Sequence, residues 1–117
     1  QKSSLAFLPE LSYAVLKSKS REFPVRKTCL IIGRASQSQL WEVDLDLPFK
    51  SVSRQHAVIL YNFAVRRWEI RCLSRKNLIK VDGERYAFRD KDIWLKDRSV
   101  LEICHEKMMF CLVERDD

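Results

Sequence analysis

The sequence predicts an all-β fold, a sandwich or a barrel built from many short strands. Three observations lead there. From Tyr13 onward the chain breaks into short β-favouring runs separated by polar turns. Two of those runs alternate strictly between apolar and charged residues, the period of a half-buried strand. No segment carries an apolar stripe at helical spacing over three turns.

The runs follow one another closely. Tyr13–Lys17 is the first. Glu22–Val25 contains Pro24 and so belongs on a sheet edge, where a missing N–H costs no ladder bond. Thr28–Ile32 is apolar and β-branched, which predicts a buried strand. Trp41–Leu47 sets Trp41, Val43, Leu45 and Leu47 against Glu42, Asp44 and Asp46, one face buried and the other solvated. Ala57–Phe63 follows. Arg67–Leu73 sets Arg67, Glu69 and Arg71 against Trp68, Ile70 and Cys72. Ile79–Val81 and Arg85–Phe88 flank Asp82-Gly83, the preferred chemistry of a two-residue hairpin turn with positive φ at both positions. Asp92–Leu95, Ser99–Cys104 and Lys107–Val113 complete the set, with Glu106-Lys107 read as a polar hairpin turn. Trp41, Trp68 and Trp94 are read as core or sheet-face packing.

At 117 residues the chain is one domain's worth and can bury a core without a metal or disulfide. Its 46% hydrophobic and 32% charged residues place it with globular chains rather than disordered ones. Residues 1–12 lack periodicity and read as an arm, leaving 13–117 as the domain. No apolar run approaches the roughly 20 residues of a membrane helix. The chain carries no initiator Met and no signal or transit pattern, and is expected to be a piece of a longer protein. Cys29, Cys72, Cys104 and Cys111 each sit in an apolar stretch and are expected to be free, buried thiols. Their irregular spacing, without a C-x-x-C pair, makes no zinc site. An intracellular, reducing compartment follows from that usage.

Charge is uneven. Lys and Arg number 22 against 16 Asp and Glu, a net +6. Residues 17–34 hold Lys17, Lys19, Arg21, Arg26, Lys27 and Arg34 against Glu22, and residues 66–80 hold Arg66, Arg67, Arg71, Arg75, Lys76 and Lys80 against Glu69. Most of these belong on solvated strand faces. Arg34, Lys50, Arg54, Arg75 and Lys76 instead fall at strand ends, where the loops of a sandwich converge. A cluster of Arg, Lys and Ser there would bind a compact dianion. Arg offers a planar fork to two phosphate oxygens, and a phosphorylated side chain carries about −1.5 to −2 charge near pH 7.

Four elements stand in order: Gly33-Arg34, Ser53-Arg54-Gln55-His56, Asn77, and Asp82-Gly83. Arg34 and Ser53 are 19 residues apart, His56 and Asn77 are 21 apart, and predicted strands lie between. In this the chain resembles the forkhead-associated (FHA) domain, a reader of phosphothreonine peptides, over roughly 13–113. The stretch 66–83, RRWEIRCLSRKNLIKVDG, is similar to FHA domains of forkhead-type transcription regulators.

The resemblance implies an eleven-stranded β-sandwich with ligand loops at one end. It implies that Arg34, Ser53, Arg54 and Lys76 contact phosphate, and that the Asn77 amide holds the peptide main chain. Lys50 and Arg75 would stand at the rim. Gly33, His56 and Gly83 would be architectural, with His56 bracing the Ser53 loop. Two positions depart from the family pattern. Leu78 stands where Gly is usual, so this loop must take a backbone path without positive φ. Asp82 replaces a common Asn at no cost to turn geometry.

The expected function is therefore a non-catalytic module for phosphorylation-dependent protein–protein interaction in a nuclear transcription-regulatory or signalling protein. It needs no cofactor or metal and no membrane, and the isolated domain is expected to be monomeric. The alternative is a scaffold of the same fold that binds nucleic acid or an unphosphorylated protein through its basic surface. Nucleic acid could also be reached through the parent protein. The aromatics do not interleave with the basic residues as a stacking platform would require. No paired carboxylates, nucleophile–base spacing or P-loop stand out, and adjacent Cys104 and His105 would face opposite sides of a strand, which argues against an enzyme.

Overall fold

The computed structural model describes residues 11–36 and 43–113. They form eleven strands: β1 (Ala14–Lys17), β2 (Glu22–Val25), β3 (Cys29–Gly33), β4 (Leu45–Asp46), β5 (Ala57–Asn62), β6 (Arg67–Cys72), β7 (Ile79–Val81), β8 (Glu84–Tyr86), β9 (Ile93–Leu95), β10 (Ser99–Ile103) and β11 (Glu106–Leu112). They make two sheets, ordered β2-β1-β11-β10-β7-β8 and β4-β3-β5-β6-β9. The expected all-β sandwich is the observed fold. Of the expected arm, residues 1–10 lie outside the described residues, while Ser12 is buried.

Alternation builds the core. Leu16, Leu101, Ile103, Met108 and Phe110 of the first sheet face Leu30, Ile32, Ile59, Ile70 and Leu95 of the second, all buried. Trp68 belongs to this core, packed against Phe110 with ring centroids 5.7 Å apart. Trp94 lies on the outer face, half exposed. Trp41 lies outside the described residues. β2 is an edge strand, so Pro24 interrupts no central ladder. Asp82 and Gly83 both take positive φ, 52° and 87°, as a tight hairpin requires. The Asp82 carboxylate also accepts from Val100 N–H at 2.8 Å, tying the turn to β10.

Four expectations are corrected. First, the 41–47 run is not a long strand. Only Leu45–Asp46 pairs, parallel to β3, and Glu42 lies outside the described residues. The acidic side chains are not simply solvated. Asp44 accepts from Ile31 N–H and Asp46 from Ala35 N–H, both at 2.8 Å, so carboxylates replace ladder bonds. Second, Glu69 is buried. It stands opposite Trp94 in the register, and Arg67 bonds its carboxylate at 2.8 Å while lying over the Trp94 ring. The Arg67 hydrogen bond holds the Glu69 carboxyl below its usual range.

Third, the β10–β11 turn is Cys104-His105, not Glu106-Lys107, with Cys104 at φ 57°. This register sets Lys107 opposite Glu102, an attractive cross-strand pair, and leaves polar His105 in the turn. Fourth, all four cysteines are free, but only Cys72 is buried; Cys29 is exposed and Cys104 and Cys111 are half-buried. An apolar neighbourhood in sequence does not say which face of a strand a residue occupies.

Candidate functional site

The chain brings three segments to the end of the sandwich where β3 stops, β5 starts and β6 stops: residues 33–36, 47–56 and 73–78. Gly33 makes their approach possible. A Cβ there would run into the carbonyl oxygen of Arg54, so only glycine lets the two backbones touch. Gly83 is required for a different reason. Nothing lies within 4 Å of where its Cβ would be, but its φ is left-handed.

Contact at Gly33 lets the next residue reach across. Arg34 N–H donates to Ser53 O at 3.0 Å, and its side-chain Nε donates to Val52 O at 2.9 Å. The guanidinium is thereby pinned beside the Ser53 loop. Its two Nη groups have no partner among the described residues.

His56 holds that loop from beneath. It is fully buried, and its Nδ1 accepts from Ser53 N–H at 3.0 Å. An accepting Nδ1 places the ring proton on Nε2. Nε2 has no well-formed hydrogen bond among the described residues and faces the backbone of Asn77 and Leu78. Burial pushes the His56 pKa below its ordinary value, so the ring is neutral near pH 7. Its backbone carbonyl accepts from Leu73 N–H at 2.8 Å and Ser74 N–H at 3.3 Å, which docks the end of β6 on the same loop.

Ser74 joins the two loops. Sequence reasoning passed over it. It is buried, and its Oγ accepts from Lys76 N–H at 3.2 Å and Asn77 N–H at 3.0 Å. The same oxygen lies 2.7 Å from Ser53 Oγ. A hydroxyl has two lone pairs and one proton. With two backbone N–H groups already on it, Ser74 Oγ shares one further hydrogen bond with Ser53, in which either hydroxyl can donate. A serine ending a β run with Asn three residues on is a local turn signature, and it could have found Ser74.

Asn77 closes the arrangement. Its Nδ2 donates to Ser51 O at 2.8 Å, bridging the two loops, and its Oδ1 has no partner among the described residues. Neither Asn77 nor Leu78 takes positive φ, so this loop follows the path a non-glycine residue at 78 demands. Arg34, Ser53 and Asn77 are thus connected through Val52, Ser51 and Ser74. Lys76 is exposed at the same turn. The exposed Arg54 presents its backbone carbonyl to Gly33.

The rim residues part company. Lys50 lines a hollow of about 380 Å³ with Phe49, Ser51, Cys104 and His105. Arg75 lies on the other side of Asn77, its Cζ 4.5 Å from the Phe88 ring centroid. Among the described residues no group of three His, Cys, Asp or Glu side chains could hold a metal, and no helix is long and apolar enough to cross a membrane.

Comparison with known proteins gives a consistent picture. The model of the FHA domain family matches residues 30–104. The chain is 33% identical over 111 residues to Fork-head transcriptional regulator 2 of Candida albicans, covering 86% of this chain and 16% of that protein. It is 34% identical over 107 residues to the pre-rRNA-processing protein FHL1 of Saccharomyces cerevisiae, covering 90% of this chain and 11% of that one. It therefore spans a small part of these relatives. Among solved structures, it is similar to Mycobacterium tuberculosis EmbR in complex with a low-affinity phosphopeptide, with a TM-score of 0.73, 25% identity, and coverage of 91% of this chain and 26% of that one. It also matches the MEK1 FHA domain in complex with a HOP1 phosphothreonine peptide, with a TM-score of 0.72, 22% identity, and coverage of 88% and 99%.

Proposed function

The chain belongs to the FHA domain family, and on that premise we propose that it is a non-catalytic module binding phosphothreonine-containing segments of partner proteins. The observation that carries this reading is the pairing of Arg34 with Ser53 at one end of the sandwich. Arg34 is pinned through Nε with both Nη groups unclaimed among the described residues, and the half-buried Ser53 hydroxyl is held beside it by a hydrogen bond to Ser74.

In this reading the phosphate sits against those donors. Arg34 supplies a charged fork to two oxygens, and Ser53 a neutral hydrogen bond. Lys76, exposed on the adjoining turn, adds a point charge, and Arg54 lies on the Ser53 side. Asn77, fixed through its Nδ2, presents Oδ1 to a main-chain N–H of an extended ligand. Little reorganisation is needed, because His56 and Ser74 already hold both loops, so less conformational entropy is lost on binding. Two or three charge-assisted hydrogen bonds, each about 1.5–3 kcal/mol, would supply most of the affinity. The parent protein is proposed to be a nuclear regulator of transcription, a reading supported by the forkhead relatives of fungi.

The test is binding to an oriented phosphothreonine-peptide library with wild type and Arg34→Ala in parallel. Selective capture that depends on both the phosphate and Arg34 is the expected result. Equal capture of unphosphorylated peptides, or capture unchanged by Arg34→Ala, would overturn it. Duplex DNA across a salt series would then be the next ligand to try.

A further inference from the structure

A second basic groove adjoins the site, and the reading above uses only its near wall, Lys76 and Asn77. It is about 710 Å³ in volume and runs between residues 74–78 and the turn at 87–89. Half-buried Phe88 lines it. Two guanidiniums share that ring, Arg75 with Cζ 4.5 Å and Arg89 with Cζ 5.7 Å from the centroid. Exposed Lys76 lines the same groove. Three cations therefore crowd one concavity. Among the described residues none of them is in an ion pair. The neighbouring carboxylate, Asp90, accepts from Ala87 N–H at 2.7 Å and makes no ion pair with them among the described residues.

The groove is also built. Asp90 N–H donates back to Ala87 O at 3.0 Å, so the turn carrying Phe88 and Arg89 is closed by two hydrogen bonds. Arg89 is held at φ 84°, a conformation that a non-glycine residue rarely adopts. A guanidinium stacked on an aromatic face keeps its edge N–H groups available to a planar or tetrahedral anion. Gathering like charges in one hollow is unfavourable until an anion occupies it. The groove shares Ser74, Lys76 and Asn77 with the proposed phosphothreonine site, so one extended segment could fill both.

We propose that this groove binds a second anionic side chain, an acidic or phosphorylated residue, on the same segment that carries the phosphothreonine. The inference rests on the proposed phosphopeptide reading and deepens it. The ligand is then a multiply acidic or multiply phosphorylated stretch. A phosphate engages the groove more tightly than a carboxylate, since it offers more oxygens and greater charge to the two guanidiniums.

The experiment compares fluorescence-polarisation affinities of one phosphothreonine peptide with versions carrying, at each neighbouring position in turn, Asp or a second phosphothreonine. Wild type and Arg89→Asn are measured together. Asparagine tolerates positive φ, so the change removes charge without straining the turn. Arg89→Lys is the second variant and retains charge. At the best spacing the second phosphate should tighten wild-type binding about tenfold, and Asp less. Arg89→Asn should lose most of that gain while its affinity for the singly phosphorylated peptide stays within about twofold of wild type. Arg89→Lys should keep part of the gain. No gain at any position for wild type, or a gain that survives Arg89→Asn, would overturn the second site while leaving the first intact. Failure of the singly phosphorylated peptide to bind in an Arg34-dependent way would overturn the underlying reading, and this inference with it.

Discussion

Ser74 Oγ lies 2.7 Å from Ser53 Oγ, and the same oxygen accepts from the backbone N–H groups of Lys76 and Asn77. A residue outside the recognisable motif thus anchors the hydroxyl of a residue inside it.

Replacing Ser74 with alanine should damage the site from below. It leaves two backbone N–H groups without their acceptor and frees Ser53 to rotate. Stability should fall by about 1–3 kcal/mol, read by urea denaturation. Phosphopeptide affinity should fall by about three- to tenfold. A Ser74→Ala protein with wild-type affinity would show that Ser53 needs no orienting partner.

Loss of Arg34 should be more selective. Arg34→Ala removes the Nε bond to Val52 O and the charged fork, yet keeps the backbone bond to Ser53. Phosphopeptide binding should weaken by about tenfold or more, since about 1.4 kcal/mol corresponds to one decade. Arg34→Lys should not restore it, because an ammonium cannot hold Val52 O and present two further donors in one plane. Titration calorimetry of the three proteins decides the matter.

Gly33→Ala should destabilise the fold at the site itself. The new methyl meets a backbone carbonyl, Arg54 O, which cannot rotate away. An overpacking cost of about 1–3 kcal/mol is expected. Gly83→Ala has open space and meets only the torsional penalty of about 1–2 kcal/mol. Amide exchange distinguishes the two, with lost protection around residues 52–56 in the first variant and around 81–84 in the second.

His56 predicts an acid-labile loop. Its folded pKa lies below the ordinary 6.5 because burial disfavours the charged ring. The unfolded chain therefore binds more protons than the folded one between that lowered value and 6.5. Stability contributed by neutral His56 is full above the unfolded pKa and is lost as pH falls through that window, with a slope of at most about 1.4 kcal/mol per pH unit. Protonation of Nδ1 would also expel Ser53 N–H from its acceptor. Stability measured from pH 7.5 to 5 should lose this component in His56→Gln, and an unchanged slope would count against the assignment.

Much of the fold was legible before any coordinates because its signals are short-range. Short β-favouring runs separated by polar turns mark an all-β chain, and Asp82-Gly83 sets its own turn through torsional preference. The FHA resemblance carried by Gly33-Arg34, Ser53-x-x-His56 and Asn77 implied that their loops gather at one end of the sandwich. What spacing could not reveal depends on which backbones come close once the sheets are packed. Glu69 looks solvated in sequence and is buried because Trp94 lies on the neighbouring strand. The β10–β11 turn falls at Cys104-His105 because the register pairs Lys107 with Glu102. Ser74 is an ordinary serine until the β6–β7 and β4–β5 loops meet.

Local preferences along the chain set the all-β class, most of the strands, the Asp82-Gly83 hairpin and the residue types available for an anion. Packing of distant segments settled which faces are buried, which guanidinium nitrogens have a partner among the described residues, and that Arg75 and Arg89 converge on one ring. Those outcomes depend on approaches of a few ångströms between segments far apart in the chain, and no local torsional or periodic preference encodes them.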